Sequence, residues 1–424
     1  MNKYHSIISS LRDELKDEFH FNILPYWKTY ALDEINGGFV GRVSSTNQKI
    51  YEADKGIILN ARLLWTFSAG FRCFENEDLK TLALRSFTEL RDRFWDSGKG
   101  GFYWLIASDA KVLDDKKHLY AQAFGMYALS EAYAVFGWKE AKEMAIELFD
   151  LVHKNALDTV NGGYYEACDR FWNPQNDIQL STKDIPAVKT MNTHLHLMEA
   201  FTNLYKFVPL QRVKKSLEAT IDLFLNHIIN TDHYLNNYMD AQWSPISDSI
   251  SYGHNIEASW LLLEAAEVVG NPTLIEKVRE AALLLADHVL KNGLDPLHGG
   301  IFNEGTTLNF EADTHKDWWP QAEAVIGFIN AFELTQKQEY LVAAIDTWAF
   351  IKQYLIDDSN GEWFECVTRS GKAFEEMDKI RMWKAPYHNS RMVFEGILRC
   401  DKLLEERFVE ALNLSDEHAF IPNR

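Results

Sequence analysis

The sequence predicts an all-α protein, an (α/α)6 barrel in which six helix pairs close into a toroid. Three observations support this prediction. Amphipathic helices alternate with almost wholly apolar ones, a glycine-containing turn recurs about every 60 to 70 residues, and neither end of the chain carries a polar capping repeat. Because no Pro/Ser-rich linker or low-complexity run divides the chain, we expect residues 1–424 to form one domain.

The two kinds of helix have different surroundings. An amphipathic helix buries one face and lies outside the ring, whereas a helix that is apolar all round is buried on every side and lies inside it. The expected pairs of outer and inner helix are 6–26 with 54–71, 78–95 with 117–136, 139–155 with 190–207, 211–229 with 253–269, 273–291 with 318–334, and 338–355 with 386–404.

A double glycine marks the long connections between the helices. Its copies are Gly37-Gly38-Phe39, Gly100-Gly101-Phe102, Gly162-Gly163-Tyr164 and Gly299-Gly300-Ile301, with a variant at Gly361-Glu362-Trp363 and a degenerate copy near 238–243. Four copies are preceded by an aspartate, as expected of a turn that enters a short strand: Asp33, Asp96, Asp158 and Asp295. We therefore expect short β-hairpins in the long loops, at the end of the barrel where the inner helices begin.

Composition excludes several classes of partner. A net charge of −19 and a pI near 5.2 leave no broad basic surface for nucleic acid or anionic lipid, and no run of about 18 apolar residues could span a membrane. The sequence contains 13 Trp, 17 Tyr and 26 Phe, a surplus that suits stacking against a neutral, small-molecule carbohydrate. Four dispersed cysteines without a CxxC pair, and an N-terminus without a secretory h-region, predict a cytoplasmic protein without disulfides.

Polar side chains at the start of the inner helices mark a candidate site. In the stretch Met191–Ala200, His194 and His196 point about 200° apart around a helix, so one faces the cavity and the other packs. At 253–257 the spacing i, i+3 places Glu257 beside His254, where it could fix the imidazole tautomer. The side chains expected to converge are Arg62, Tyr120, Gln122, Asn192, His196, His254, Glu257, Trp318, Trp319, Glu323, Trp383, Tyr387, His388 and Arg391.

Several kinds of chemistry fit such a cavity. A metal site is disfavoured because the chain has no HExxH motif and no carboxylate-rich loop. Glycoside hydrolysis needs two carboxylates, and here histidines outnumber the inward carboxylates. A non-catalytic sugar-binding module would explain the tryptophans but not three histidines at one end of a ring. Histidine, with a pKa near 6.5, suits reversible proton transfer at neutral pH, so an isomerisation fits best.

Five motifs, spread over nearly the whole chain, resemble those of a known family. They are Asn60-Ala-Arg62-Leu-Leu-Trp65, Met191-Asn-Thr-His-Leu-His196, Gly253-His254-Asn-Ile-Glu257-Ala-Ser-Trp260, Trp318-Trp319-Pro-Gln-Ala-Glu323 and Trp383-Lys-Ala-Pro-Tyr-His388. The family is that of the cellobiose 2-epimerases, within the N-acylglucosamine 2-epimerase superfamily. The resemblance implies an (α/α)6 barrel and reversible epimerisation at C2 of the reducing-end glucose of β-1,4-linked disaccharides, with no metal and no other cofactor.

The resemblance also implies residue roles. His254 and His388 would transfer protons, His196 would be a third catalytic histidine, and Arg62 would stabilise developing negative charge. The substrate-binding residues would be Tyr120, Asn192, Glu257, Glu323, Trp318, Trp319 and Trp383, with Asp184 toward the second sugar. Related enzymes act on free mannose or on N-acylglucosamine, or interconvert aldoses and ketoses, so mannose 2-epimerase remains an alternative. We expect a monomer or a weak homodimer.

Overall fold

The computed structural model describes residues 4–175, 179–180 and 185–417. Its helices fall into an outer and an inner set. The outer helices are α1 (His5–Asp17) with its continuation α2 (Leu24–Tyr30), α4 (Glu77–Glu89), α6 (Lys139–Ala156), α8 (Gln211–Leu223), α10 (Pro272–His288) and α12 (Gln338–Phe350). The inner helices are α3 (Ile57–Phe74), α5 (Leu119–Phe136), α7 (Met191–Phe207), α9 (Tyr252–Val269), α11 (Trp318–Thr335) and α13 (Tyr387–Glu417).

Five outer helices contain a π-helical segment. One segment joins α1 to α2, and the others form the last turns of α4, α8, α10 and α12: Glu18–Ile23, Leu90–Phe94, Phe224–Ile228, Val289–Gly293 and Ile351–Leu355. The first outer helix therefore runs from residue 5 to residue 30, longer than the predicted 6–26. The last inner helix likewise continues to Glu417, past the predicted end at 404.

The inner helices form a closed ring. Each packs against the next in chain order, and α13 packs back against α3, while α1 covers α13 from outside. The predicted closure is therefore confirmed. Residues Leu119–Ala132 of α5 are all buried, as expected of a helix that has neighbours on every side. Among the described residues, no helix combines the length and apolarity needed to cross a membrane.

Short strands line the end of the ring where the inner helices begin. They are β1 (Lys55–Gly56), β2 (Leu105–Ile106), β3 (Val112–Asp114), β4 (Lys117–His118), β5 (Ala167–Cys168), β6 (Lys189–Thr190), β7 (Tyr238–Met239), β8 (Ser249–Ser251), β9 (Glu304–Thr306), β10 (Lys316–Asp317) and β11 (Cys366–Val367). Strands β2 and β3 form a hairpin, but the other antiparallel pairs join one long loop to the next, as β4 joins β5. The loops therefore brace one another around the rim.

A buried ion pair repeats beneath these loops. In one copy, Asp158 accepts hydrogen bonds from two backbone N–H groups of its own turn, and the Lys189 ammonium lies 3.0 Å from its carboxylate and 3.0 Å from the Gly162 carbonyl oxygen. Both side chains are almost fully buried. Equivalent pairs are Asp33 with Lys55, Asp96 with Lys117, Asp295 with Lys316 and Asp357 with Lys379. Four of these lysines stand two residues before an inner helix, a repeat that the sequence analysis did not detect.

The fourth residue of several inner helices holds the glycine turn in place. His194, fourth in α7, accepts a 3.0 Å hydrogen bond from the Tyr164 N–H. Gln122 in α5 and Gln321 in α11 each bind both backbone groups of the residue that follows the double glycine. A Cβ on Gly163, at φ +70°, would lie 2.8 Å from the His194 Nε2, so this position requires glycine.

Candidate active site

The cavity at the N-terminal ends of the inner helices has two adjacent lobes that share part of their lining. The inner lobe, of about 380 Å³, is lined by Arg62, Tyr120, His196, Glu257, Trp318, Glu365, Arg381, Trp383 and His388. The outer lobe, of about 390 Å³, is lined by Glu166, Gln179, Ile185, Thr190, Met191, Asn237, Tyr238, Ser251, Asn303, Glu304 and Asp313. Both lobes share Leu180, Asn192, His254, Asp317 and Trp319. The structure thus brings eleven of the twelve predicted site residues to one region, and ten of them line the cavity.

Helical geometry selects which side chains face the cavity. Residues at the second and sixth positions of an inner helix lie on one face, because four residues make slightly more than one turn. The second residues include Tyr120, Asn192, Trp319 and His388, and the sixth include Arg62, His196 and Glu257. There are two departures: Glu323 is sixth in α11 but lies behind His388, and His254 reaches the cavity from the third position of α9. The fourth position points away, toward the loop wall. His194 is therefore the packing histidine and His196 the cavity histidine, as the helical spacing predicts.

His196 is held by a carboxylate from its own helix. Its Nδ1 lies 2.9 Å from Oε2 of Glu199, and both side chains are buried. Burial opposes ionisation of Glu199, but the Arg391 charge and the donors around it outweigh burial and lower the Glu199 pKa. An ionised carboxylate only accepts, so it holds the proton of the neutral imidazole on Nδ1. The Nε2 atom is left for the cavity.

His388 is held in the same way, by a carboxylate from the neighbouring helix. Its Nδ1 lies 2.8 Å from Oε1 of Glu323, and burial together with the nearby arginines Arg62 and Arg391 puts the His388 pKa well below 6.5. Glu323 is fully buried behind His388 and lines neither lobe. We predicted Glu323 as a substrate-binding residue, but the structure places it as the support of an imidazole.

His254 has a hydroxyl partner instead. Its Nδ1 lies 2.7 Å from Oγ of Ser251, and burial lowers the His254 pKa to about 4, so the imidazole is neutral at pH 7. The predicted hydrogen bond from His254 to Glu257 is wrong. Although Glu257 lies on the same helical face, its Oε1 binds Arg391 from another helix.

Two acceptor atoms in the inner lobe have no protein donor. Glu257 Oε2 and Asn192 Oδ1 are both buried without a hydrogen-bond partner among the described residues. A buried acceptor without a donor is costly, and a sugar hydroxyl that enters the lobe could satisfy it. The binding roles of Glu257 and Asn192 stay a prediction.

Arg62 supplies positive charge to the inner lobe. Its Nη2 donates to the Tyr120 hydroxyl at 2.9 Å and its Nη1 donates to the Trp383 carbonyl at 3.2 Å, while Nε has no partner among the described residues. Burial raises the Tyr120 pKa to about 12, so this hydroxyl stays protonated. Because the guanidinium is almost wholly buried, its charge acts in a poorly screened environment.

Aromatic rings surround the three histidines. Trp319 lies 4.7 Å from the His254 ring and 5.5 Å from the His388 ring, between centroids, and Trp383 lies 6.0 Å from Tyr120. Trp318 also lines the inner lobe. Binding of a sugar by Trp318, Trp319 and Trp383 stays a prediction. Asp184, which we predicted toward a second sugar, lies outside the described residues.

Three residues of the site were not predicted with these roles: Glu199, Ser251 and Arg391. The spacing of His196 and Glu199 is i, i+3, the same signal that drew attention to His254 and Glu257, so Glu199 could have been found. Ser251 is the N-cap of α9, a type of residue that is common at helix starts whatever the function. Arg391 was expected at the cavity, but it lies beneath it and contacts several helices.

One group of potential metal ligands lies in this region. Glu257, Glu323 and His388 could each direct one atom toward a common point. The Arg391 guanidinium, however, donates to both carboxylates, and the His388 Nδ1 is already bonded to Glu323. A cation would have to displace a guanidinium with which these carboxylates already pair, so this donor set does not fit a metal ion.

Comparison with known proteins adds family information. Residues 37–389 match the N-acylglucosamine 2-epimerase (GlcNAc 2-epimerase) family. The chain is 41% identical to cellobiose 2-epimerase of Bacteroides fragilis, covering 91% of this chain and 98% of that protein, and 36% identical to cellobiose 2-epimerase of Dictyoglomus turgidum, covering 92% and 98%. The solved structure of cellobiose 2-epimerase from Bacillus thermoamylovorans B4167 superposes with a TM-score of 0.88 at 34% identity, covering 92% of this chain and all of that one.

Proposed function

Because this chain belongs to the N-acylglucosamine 2-epimerase family, we propose that it is a cellobiose 2-epimerase, which inverts C2 of the reducing-end glucose of β-1,4-linked disaccharides. The observation that carries the proposal is the set of three imidazoles around the inner lobe. Each uses Nδ1 for a protein partner, and among the described residues no protein group bonds any of their Nε2 atoms. Nε2 is therefore free to exchange protons with a bound sugar.

The reaction begins with ring opening. Opening the hemiacetal exposes an aldehyde at C1, which makes the C2 proton removable because the resulting charge spreads into an enediolate. His196 lines the inner lobe with its ring centre 4.9 Å from that of Tyr120, and it is suited to move the proton that ring opening requires. Arg62, whose Nε–H has no protein partner in the described part of the chain, is suited to stabilise the developing oxyanion.

Inversion at C2 needs proton transfer on two faces. His254 and His388 come from α9 and α13, which are separated in the ring by α11, so a sugar between them would meet one imidazole on each side. Both have lowered pKa values and are neutral at pH 7, the form in which an imidazole accepts a proton. We propose that one neutral imidazole removes the C2 proton at its Nε2, while the other takes up a proton from solvent at its Nε2 and delivers it to the opposite face of C2. The first imidazole then releases its proton to solvent, so both histidines end neutral, and their roles exchange when the reaction reverses.

The two-lobed cavity favours a disaccharide over a monosaccharide. The outer lobe is about as large as the inner one and shares part of its wall, including His254 and Trp319, so a second sugar unit has room beside these two residues. Ser251, Asn237 and Asn303 give this lobe neutral hydrogen-bonding groups. These groups suit the hydroxyls of an uncharged sugar.

The experiment is a direct substrate comparison. Purified protein is incubated separately with cellobiose, lactose and mannose, without added metal, and the products are identified by NMR. We expect glucosyl-mannose from cellobiose and epilactose from lactose, with a higher kcat/KM than for mannose. A higher kcat/KM for mannose would replace this proposal with mannose 2-epimerase, and release of free glucose from cellobiose would indicate a glycoside hydrolase.

A further inference from the structure

Beneath the inner lobe, one arginine joins three helices. Arg391 lies on α13 and is fully buried. Its guanidinium donates to the carboxylates of Glu199 on α7, Glu257 on α9 and Glu323 on α11. The Glu323 contact is 2.6 Å from Nη2 to Oε1. The guanidinium carbon also lies 4.9 Å from the centre of the Trp260 ring. Arg391 lines neither lobe, so it acts on a sugar only through other residues.

Two of these carboxylates are the partners of imidazoles. Glu199 accepts from Nδ1 of His196, and Glu323 accepts from Nδ1 of His388. A hydrogen-bonded path therefore runs from one histidine through Arg391 to the other. His254 lies outside it, because its Nδ1 binds the Ser251 hydroxyl, which can donate or accept.

The charges explain what the arginine does for the carboxylates. Three buried carboxylates surround a single guanidinium. Burial favours the neutral, protonated form of Glu199 and Glu323. A protonated carboxyl can donate a hydrogen bond to Nδ1, which would place the imidazole proton on Nε2 and remove the free lone pair from the cavity. Arg391 and the other donors lower the Glu199 pKa, whereas burial raises the Glu323 pKa to about 8 although Arg391 opposes it. The contacts of Glu323 are those of an acceptor: Oε1 accepts from Arg391 and Oε2 accepts from the Trp260 indole N–H, and both partners have donors and no acceptor.

We propose that Arg391 is a positioning residue for the acid–base histidines: by keeping Glu199 and Glu323 as acceptors, it holds His196 and His388 as Nδ1–H tautomers with Nε2 free toward the sugar. The proposal rests on the proposed function for its catalytic meaning. Its structural content, the tautomers and their dependence on Arg391, is tested without substrate.

The first test uses the unaltered protein. Histidines are labelled with ¹⁵N, their tautomers are read from long-range ¹H–¹⁵N correlation spectra, and signals are assigned with His194→Gln, His196→Gln and His388→Gln variants. We expect Nδ1–H tautomers for His196 and His388. His194 serves as an internal reference, because its Nδ1 faces the Thr190 carbonyl and its Nε2 accepts from a backbone N–H. An Nε2–H tautomer at either His196 or His388 overturns the proposal, whatever the enzyme proves to catalyse.

The second test compares two conservative variants of α13. Arg391→Lys keeps the charge, but one ammonium cannot span three carboxylates, so we expect His196 and His388 to lose their defined tautomers while His194 keeps its own. With cellobiose, kcat should fall at least 100-fold, in the range of general acid–base catalysis, and KM should stay within about threefold. The control is Arg399→Lys, since Arg399 also lies by the Trp260 ring, at 5.9 Å, but pairs with Glu333 instead. Unchanged tautomers in Arg391→Lys, or a kcat within tenfold of wild type, would refute the proposal.

Discussion

The two histidines of α7, His194 and His196, test whether the position of a residue along an inner helix determines its role. His194 is fully buried, with Nδ1 2.7 Å from the Thr190 carbonyl oxygen and Nε2 3.0 Å from the Tyr164 nitrogen. Burial lowers its pKa to about 3, so it stays neutral and works as a bridge between two backbone groups. In the corresponding places of α5 and α11 the bridge is a glutamine, Gln122 or Gln321.

The structure gives the size of the expected effect. His194→Ala leaves the Tyr164 N–H without a partner, at about 1–3 kcal/mol, removes the side-chain hydrogen bond to the Thr190 carbonyl, and opens a space beside Trp243, whose ring centre lies 5.0 Å away. We expect the free energy of unfolding to fall by about 3–5 kcal/mol. His194→Gln restores a donor and an acceptor in the manner of Gln122, so its loss should stay below about 1.5 kcal/mol. Equilibrium unfolding in urea measures both values.

His196→Gln is the matched variant on the cavity face. A glutamine amide can still donate to Glu199, so the fold should persist, but it cannot exchange protons as an imidazole does. We expect kcat for cellobiose to fall at least 100-fold, while His194→Gln keeps most of the activity. Equal losses of kcat in the two glutamine variants, or an alanine variant at 194 as stable as wild type, would contradict this division of roles.

Four further predictions concern chemistry and stability. In D2O, the epimer formed from cellobiose should carry deuterium at C2, as read by NMR. His254→Ala and His388→Ala should each lower kcat at least 100-fold without lowering the melting temperature. If either variant keeps more than about a tenth of the wild-type kcat, the histidine it replaces is not in the proton path. Trp383→Ala should reduce kcat/KM for cellobiose and for mannose by similar amounts, about 1–3 kcal/mol in transition-state free energy, because Trp383 lines the inner lobe; a loss confined to cellobiose would contradict the placement of the second sugar in the outer lobe. EDTA should leave activity unchanged, and loss that a divalent ion restores would contradict metal-free catalysis. Burial opposes ionisation of Asp158, but its turn N–H groups and Lys189 outweigh burial and lower its pKa to about 2. The stability that ionised Asp158 contributes is therefore present above its ordinary pKa near 4 and lost as the pH falls through about 2; acid unfolding of Asp158→Asn should lack this component.

The architecture was predictable because it repeats. Apolar periodicity located all six helix pairs, and the double glycines located the rim, since each signal is carried by many residues at regular spacing. The same periodicity separated His196 from His194, because helical angle alone decides which of them faces the cavity. Those parts of the prediction needed no knowledge of which helices touch.

The contacts between helices were not predictable in the same way. Glu257 was assigned to His254 on local spacing, but Arg391 from another helix binds it with a charged donor. Glu323 looked like a cavity residue by position, yet the His388 ring lies over it. Both errors have the same cause. The sequence shows which residues are neighbours along one helix, but it does not show which side chain of another helix contacts a buried carboxylate.

The closed ring also determines what can change in this molecule. His196, His254 and His388 lie on the third, fourth and sixth inner helices, and Arg62 lies on the first. Loss of a single helix pair would open the wall of the cavity and, for these four pairs, remove a reacting group. The loops that line the outer lobe contribute none of these imidazoles, because all three histidines lie within inner helices. Substrate preference can therefore diverge among descendants through the rim, while the proton chemistry stays fixed in the helices beneath it.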